Sequence, residues 1–395
     1  MSLVEAIWWD PAPPAARRAV LAPLLLAEGL FRAGAALRGA LFDRGLLSGA
    51  LAPAPVISIG NLSVGGAGKT PATLAIAGRL LARGRAVAIL SRGYGAVRRD
   101  PRVVADGRAV LLSAAEGGDE PVLAARRLPG VRVLCGPRRA ELARTAIEAL
   151  GSDALLLDDG FQHRALARDL DVVVLDAANP FGNGHLLPRG PNREPPSALR
   201  RAGLVWLSRA DRAGEGALAP LRALARDATG RDPVESRHGV VDVLEATLSR
   251  SLGPDALRGR RVLALSGLAR PGSFRATLEG MGAEVARERA FPDHHRFTEA
   301  EVDEALREAT EASCDAIATT EKDAVRLPPA RAEDPRIAVV RIAAEITAGD
   351  AALDAALDRA LAAGDARRTP SPRPSPPLHG GEGEVATPTP PGGRR

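Results

Sequence analysis

From Pro55 onwards the chain alternates short apolar runs with longer stretches that mix apolar and polar positions. Val56 to Ile59, Ala86 to Leu90, Ala154 to Leu157, Val172 to Leu175 and Leu204 to Leu207 have the length and composition of strands buried on both faces. A helix is predicted from Lys69 to about Arg83, between the first two. Strands alternating with helices imply a parallel α/β sheet. Around Arg212 to Arg237 the chain turns polar and helical, which predicts a domain junction. A second α/β series follows, with strands at Val240 to Leu244, Val262 to Leu265, Ala316 to Thr320 and Ile337 to Val340. The expected organisation is an α/β domain over residues 51–230 and a smaller C-terminal α/β domain over 231–365.

The two ends read differently. Within residues 1–50, Trp8 and Trp9 precede Arg17, Arg18, Arg32, Arg38 and Arg44, interspersed with leucines. Leu30, Leu37 and Leu41 recur at helical spacing, with Arg32 and Arg38 off that stripe. Such a helix either lies in a membrane interface, with tryptophan at headgroup depth, or packs on the main domain. It does not read as a membrane span: Ala19 to Ala27 is broken by Pro23 and stopped by Glu28, far short of about 20 apolar residues. Glu5 and Asp10 stand where a signal peptide needs basic residues. Residues 366–395 read as a disordered tail, because 8 Pro and 5 Gly from Pro370 onwards leave too little apolar surface to fold.

Composition adds three exclusions and one pointer. Aromatic residues are only 3% of the 395, too few for a chain that stacks bases along a strand. The net charge of +5 is interspersed rather than blocked, so nucleic acid is not an expected partner. Cys135 and Cys314 stand alone, which excludes a disulfide framework and a Cys-based zinc site. The pointer is lysine. Of 53 basic residues only Lys69 and Lys322 are lysines, and a lysine kept amid so much arginine marks a place where a guanidinium does not serve.

Lys69 ends the strongest motif, Val56-Ile-Ser-Ile-Gly-Asn-Leu-Ser-Val-Gly-Gly-Ala-Gly-Lys-Thr70. A strand, a glycine-rich loop and a helix start form a P-loop. Ser63, Val64, Gly65, Gly66, Ala67 and Gly68 would turn backbone N–H groups towards phosphates, Lys69 would reach the terminal phosphates and Thr70 would ligate magnesium. Ser63 stands where the formal pattern has glycine. Val64 replaces the second lysine of partition ATPases. Thr320-Glu-Lys-Asp323 breaks the Asn/Thr-Lys-x-Asp spacing that reads guanine. Ala154-Leu-Leu-Leu-Asp-Asp-Gly-Phe-Gln-His163 is a Walker B strand, and either Asp158 or Asp159 suits magnesium. In Gly117-Gly-Asp-Glu-Pro121, Asp119 suits a base that takes a hydroxyl proton. In Phe291-Pro-Asp-His-His-Arg-Phe297, an Asp beside a His suggests an orienter and a proton carrier. Ser91-Arg-Gly-Tyr-Gly95 and the loop 182–195 each follow a strand, where ligands bind in open α/β sheets, so Arg92, Arg189 and Arg193 are candidate phosphate ligands.

Taken in order, GNLSVGGAGKTP, LSRGYG, GDEP, LDDGFQHRALARD, NGHLLPRGPNREP, FPDHHRF and TEKDAVRL span roughly residues 55–330, and this combination resembles the tetraacyldisaccharide 4'-kinase family. The resemblance implies a P-loop NTPase-type domain with a smaller C-terminal α/β domain. It implies magnesium- and ATP-dependent phosphorylation of the 4'-hydroxyl of a tetraacylated disaccharide 1-phosphate, giving lipid IVA in lipid A biosynthesis. It places the base on Asp119 and its partner on His294 rather than His295, with Asp293 beside it. Nucleotide contacts fall on Lys69, Thr70, Gln162, Arg92 and Arg193 as well as the loop. Magnesium falls on Thr70, Asp158, Asp159 and Glu120. A lipid acceptor favours the membrane-interface reading of residues 1–50, on the cytoplasmic face of a Gram-negative inner membrane, with no obligate protein partner. The alternative is a P-loop GTPase or metallochaperone-type regulator, which lipid-phosphorylating activity would exclude. Lys322 and Tyr94 lie in motifs without a role.

Overall fold

The computed structural model describes residues 7–10, 14, 19, 21–93, 100–268 and 271–367. Tyr94 and the tail from residue 368 onwards lie outside the described residues.

Twelve strands form one sheet. They are β1 Val56–Gly60, β2 Val87–Ser91, β3 Arg102–Asp106, β4 Arg132–Cys135, β5 Ala154–Asp158, β6 Leu170–Asp176, β7 Leu204–Ser208, β8 Val234–Glu245, β9 Arg261–Ser266, β10 Glu284–Ala290, β11 Ala316–Thr320 and β12 Ile337–Ala348. Their order across the sheet is β10-β9-β11-β12-β8-β7-β6-β1-β5-β2-β4-β3. All neighbours run parallel except β3 with β4 and β8 with β12. In β1, β2, β5 and β7 every residue is buried, because helices cover both faces of a parallel sheet.

The helices that matter here are α1 Leu25–Asp43, α2 Lys69–Ala82, α3 Ala114–Gly117, α4 Asp119–Arg127, α5 Arg139–Glu148, α6 Glu215–Thr229, α7 Pro271–Gly280, α8 Glu299–Glu311, α9 Glu321–Ala324 and α10 Asp350–Asp365. Three strands have apolar runs too short to announce them, three residues in β3 and β4 and two in β10. The edge strand β10 reads EVARERA and is buried at Val285 alone. β3 lies at the opposite edge, and its partner β4 is only four residues long.

The expected junction takes a different form. Residues 215–229 are helical, but β8 begins at Val234, inside the polar stretch, and runs on to Glu245. It pairs with β7 on one side and with β12 on the other. The two halves therefore share one sheet, and across this junction the register shifts only within the β8–β12 pair. Trp206 of β7 is fully buried and donates from Nε1 to Ser236 Oγ of β8 at 2.8 Å.

The last helix corrects the chain range of the second half. Residues up to 365 were expected in the C-terminal domain, yet α10 packs against the first. Leu353, Ala356, Leu357, Ala360 and Leu361 share a core cluster with Ile57, Ile76 and Leu80. Asp350, Asp354 and Asp358 fall on one helical stripe, where they meet Arg79 and Arg83 of α2. The start of the expected tail is also fixed. Arg367 donates to both Asp169 oxygens, at 2.7 and 2.6 Å.

Helix α1 is docked at one face and bare on the other. Glu28 is buried and accepts from Leu186 N at 3.1 Å, from Arg32 at 3.2 Å and from Arg189 at 3.5 Å. Arg38 donates to Gln162 O, and Arg164 donates to Gly39 O. Leu25, Leu26, Leu30 and Leu37 are exposed, Leu26 at 76%. No helix among the described residues is long and apolar enough to cross a membrane.

Candidate active site

The strand order turns around β1: β5 and β2 lie on one side of it and β6 and β7 on the other. Ligands bind beyond the carboxyl ends of strands at such a switch point. The P-loop leaves β1 there. Gly65 and Gly68 hold φ of +93° and +89°, conformations that cost a side chain dearly. At Gly68 a Cβ would also run into Ser208. Ser208 donates to Ala67 O at 2.9 Å and Arg209 donates to Gly66 O at 3.0 Å, so the end of β7 shapes the loop from below. Arg209 is held in turn by Asp176 at 2.5 Å. Neither Ser208 nor Arg209 stands out in the sequence; their position directly after an apolar strand is the signal that finds them.

Loop 182–195 backs the P-loop from the other side. Val64 N donates to Pro191 O at 2.8 Å, Arg193 N donates to Leu62 O at 2.7 Å, and Ser63 pairs with Asn192. Lys69 heads α2, donates to Asn61 Oδ1 at 3.2 Å and lies 3.6 Å from Asp159. Gln162 donates to Asn61 O and accepts from Arg193. Arg189, a candidate phosphate ligand by position, instead faces Glu28 and His185. The buried carboxylate of Glu28 draws it away from the loop.

The two Walker B carboxylates have opposite surroundings. Burial pushes the Asp159 carboxyl up, but Lys69, Arg193 and Arg92 outweigh it and hold it below the usual range. Arg193 lies at 2.9 Å and Arg92 at 3.7 Å. The Asp158 carboxyl is pushed up to about 7, first by burial and then by Glu120 and Asp159. Ser91 Oγ donates to its Oδ2 at 3.2 Å. A buried carboxyl among other carboxylates favours a cation, so Asp158 with Glu120 and Thr70 fits magnesium better than Asp159 does. Among the described residues no three His, Cys, Asp or Glu side chains form a metal cage. Arg139 was not singled out by the sequence. It is buried at the start of α5, and burial drops its guanidinium to about 10.

Asp119 opens α4 after Gly118, whose φ is +91°. Its side chain is buried, and His294 of the other half lies against it, Nδ1 to Oδ2 at 2.9 Å. Arg326 Nε is 3.5 Å from the same oxygen. Asp293 does not reach Asp119; Lys322 Nζ stands 3.2 Å from its Oδ1. His295 turns away, stacks on Phe291 and pairs with Glu301 at 3.0 Å. Behind Asp119, Glu321 of α9 joins Arg127 of α4 and, at 2.7 Å, Arg341 of β12. Thus a carboxylate, an imidazole, a P-loop and a carboxylate pair suited to a cation converge from both halves.

That convergence on a doubly wound sheet defines a P-loop phosphotransferase. Residues 19–362 match the model of the tetraacyldisaccharide-1-P 4'-kinase family, and the chain belongs to that family. A tetraacyldisaccharide 4'-kinase of Anaeromyxobacter sp. (strain Fw109-5) is 72% identical over 365 residues, 92% of this chain and 98% of the relative. One from Syntrophus aciditrophicus is 41% identical, covering 82% of this chain and 88% of its own. The crystal structure of LpxK from Aquifex aeolicus in complex with ATP superposes with a TM-score of 0.71 at 30% identity. It covers 87% of this chain and 99% of that one. These findings leave the GTPase or metallochaperone-type alternative without support.

Proposed function

We propose that this chain transfers the γ-phosphate of ATP to the 4'-hydroxyl of a tetraacyldisaccharide 1-phosphate, working from a membrane surface with magnesium. The observation that supports the reading is the Asp119–His294 contact at 2.9 Å, which joins the proposed base and its partner from opposite halves. Asp119 takes the hydroxyl proton as the oxygen attacks phosphorus, and His294 holds the carboxylate in place. The P-loop amides and Lys69 bind the phosphates, and Arg193 and Arg92 stand near enough to neutralise charge on the transferred group. Magnesium, when bound, neutralises charge between the β- and γ-phosphates; Thr70, Asp158 and Glu120 are the residues that would hold it. Asp159 serves as the anchor that keeps Lys69, Arg193 and Arg92 together. The bare leucines of α1 suit the acyl region of a bilayer, with the docked face aimed at the site. This is the reading expected for the cytoplasmic face of the inner membrane.

Transfer of radiolabelled γ-phosphate from ATP to a lipid disaccharide acceptor tests the activity directly. Asp119→Asn is expected to slow that transfer by about 10²- to 10⁴-fold while ATP still binds. Undiminished transfer by the variant would remove Asp119 from the base role. Glutamate at both Leu26 and Leu30 is expected to reduce flotation with anionic vesicles; unchanged flotation would reject α1 as the membrane contact.

A further inference from the structure

The Thr320-Glu-Lys-Asp323 segment has no part in the reading above, yet it lies directly behind the base. Lys322 Nζ is 3.2 Å from His294 Nε2 as well as 3.2 Å from Asp293 Oδ1. The imidazole therefore meets Asp119 at Nδ1 and Lys322 at Nε2, where Asp293 Oδ2 lies farther off at 3.8 Å, beyond hydrogen-bond reach. An ammonium has three donors and no acceptor, while an ionised carboxylate only accepts. Both contacts are hydrogen bonds in one arrangement: Nδ1 carries the hydrogen and Nε2 presents its lone pair. We propose that Lys322 is a positioning residue that fixes His294 in this tautomer, so that the ring always donates to one oxygen of Asp119 and never competes with Asp119 for the proton of the substrate hydroxyl. The proposal rests on Asp119 being the base.

Surrounding contacts place Lys322 rather than leave it to chance. Thr320 caps α9 by accepting from Asp323 N. Glu321, before the lysine, is gripped by Arg127 of the helix that carries Asp119. Asp323, after it, is fully buried, accepts from Gly267 N at 2.9 Å and pairs with Arg326 at 2.7 Å. Arg326 spans the remaining gap, donating to His295 O at 3.1 Å and facing Asp119. The backbone of His294 is held in the left-handed region, φ +62°, with its N–H donating to Asp293 Oδ1 at 3.0 Å. Lysine suits the position and arginine does not. A compact ammonium can aim separate hydrogens at a ring nitrogen and a carboxylate, whereas a planar fork favours two oxygens side by side. This gives the second of the two lysines its reason.

The test uses full-length protein labelled with ¹⁵N-histidine, the His294 signals being assigned by loss in His294→Gln. Long-range ¹H–¹⁵N spectra are expected to show a bare Nε2 in the wild type and a mixture of tautomers in Lys322→Met. In phosphate-transfer assays Lys322→Met is expected to lower kcat ten- to a hundredfold, with KM for ATP and lipid within twofold. In a His294→Ala background the same change should alter kcat less than twofold. Lys322→Gln replaces the Met variant if that one does not fold. An unchanged tautomer, an equal loss in both backgrounds, or a raised KM with kcat intact would each overturn the proposal. Full activity of Asp119→Asn would instead overturn the base assignment, and the tautomer spectra tell the two failures apart.

Discussion

The two halves of this molecule meet twice, and the two meetings have opposite chemistry. Across β7, β8 and β12 they share a hydrogen-bonded ladder, a fully buried tryptophan and, through α10, an apolar face. At the carboxyl ends of the strands they meet through charges: Asp119 with His294, Asp119 with Arg326, and Arg127 with Glu321. The contrast teaches how the site is kept in register. The apolar seam fixes the halves to each other, while the ionic rim, itself largely buried, aims side chains at the site.

Breaking the seam should cost the most. Trp206→Ala is expected to destabilise the fold by about 3–5 kcal/mol, from the lost transfer energy and the cavity left behind. Denaturant unfolding checks it; a loss under 1 kcal/mol would mean that β7 and β8 are not held by this contact. Breaking the rim should cost less stability and more rate. Glu321→Gln leaves two arginines sharing a neutral partner and is expected to cost about 1.5–3 kcal/mol. It should also lower kcat, because Lys322 loses its neighbour; an unaltered rate would detach the rim from catalysis.

The smallest effect falls where seam and P-loop touch. Burial, followed by Arg209 and Arg212, lowers the His238 imidazole to about 3. A lowered imidazole contributes stability above its ordinary range near 6.5, and that contribution is lost as pH falls from there towards about 3. Between pH 7 and pH 5 the loss amounts to about 2 kcal/mol for one histidine. His238→Leu is expected to flatten the acid limb of stability by that amount. An unchanged limb in parallel melts at the two pH values would assign it to other groups.

The same contrast separates what was legible in the sequence from what was not. The nucleotide side is written in contiguous stretches, since one strand, one loop and one helix start make a P-loop, and the residues from Ser63 to Thr70 carry it. Asp158 and Asp159 were legible as a pair, but their division of labour was not. It depends on Arg92, Arg193 and Glu120 arriving from three other places. The rim was visible only as separate motifs, because Asp119 and His294 are 175 positions apart. Edge strand β10 escaped notice because it alternates little and buries little. The return of α10 to the first half escaped it because an amphipathic helix does not declare which sheet it will cover.

One hydrogen bond described above carries a consequence for anyone who would simplify this protein. Leu186 N, in the loop that braces the P-loop, rests on the carboxylate of Glu28, in the helix with the bare leucines. Cutting that helix away for solubility would remove a lintel along with the exposed leucines, leaving a buried amide without its acceptor and the wall of the nucleotide site unsupported. A truncated version would therefore be a different catalyst, and slow turnover by it would say nothing about how much the intact chain depends on lipid.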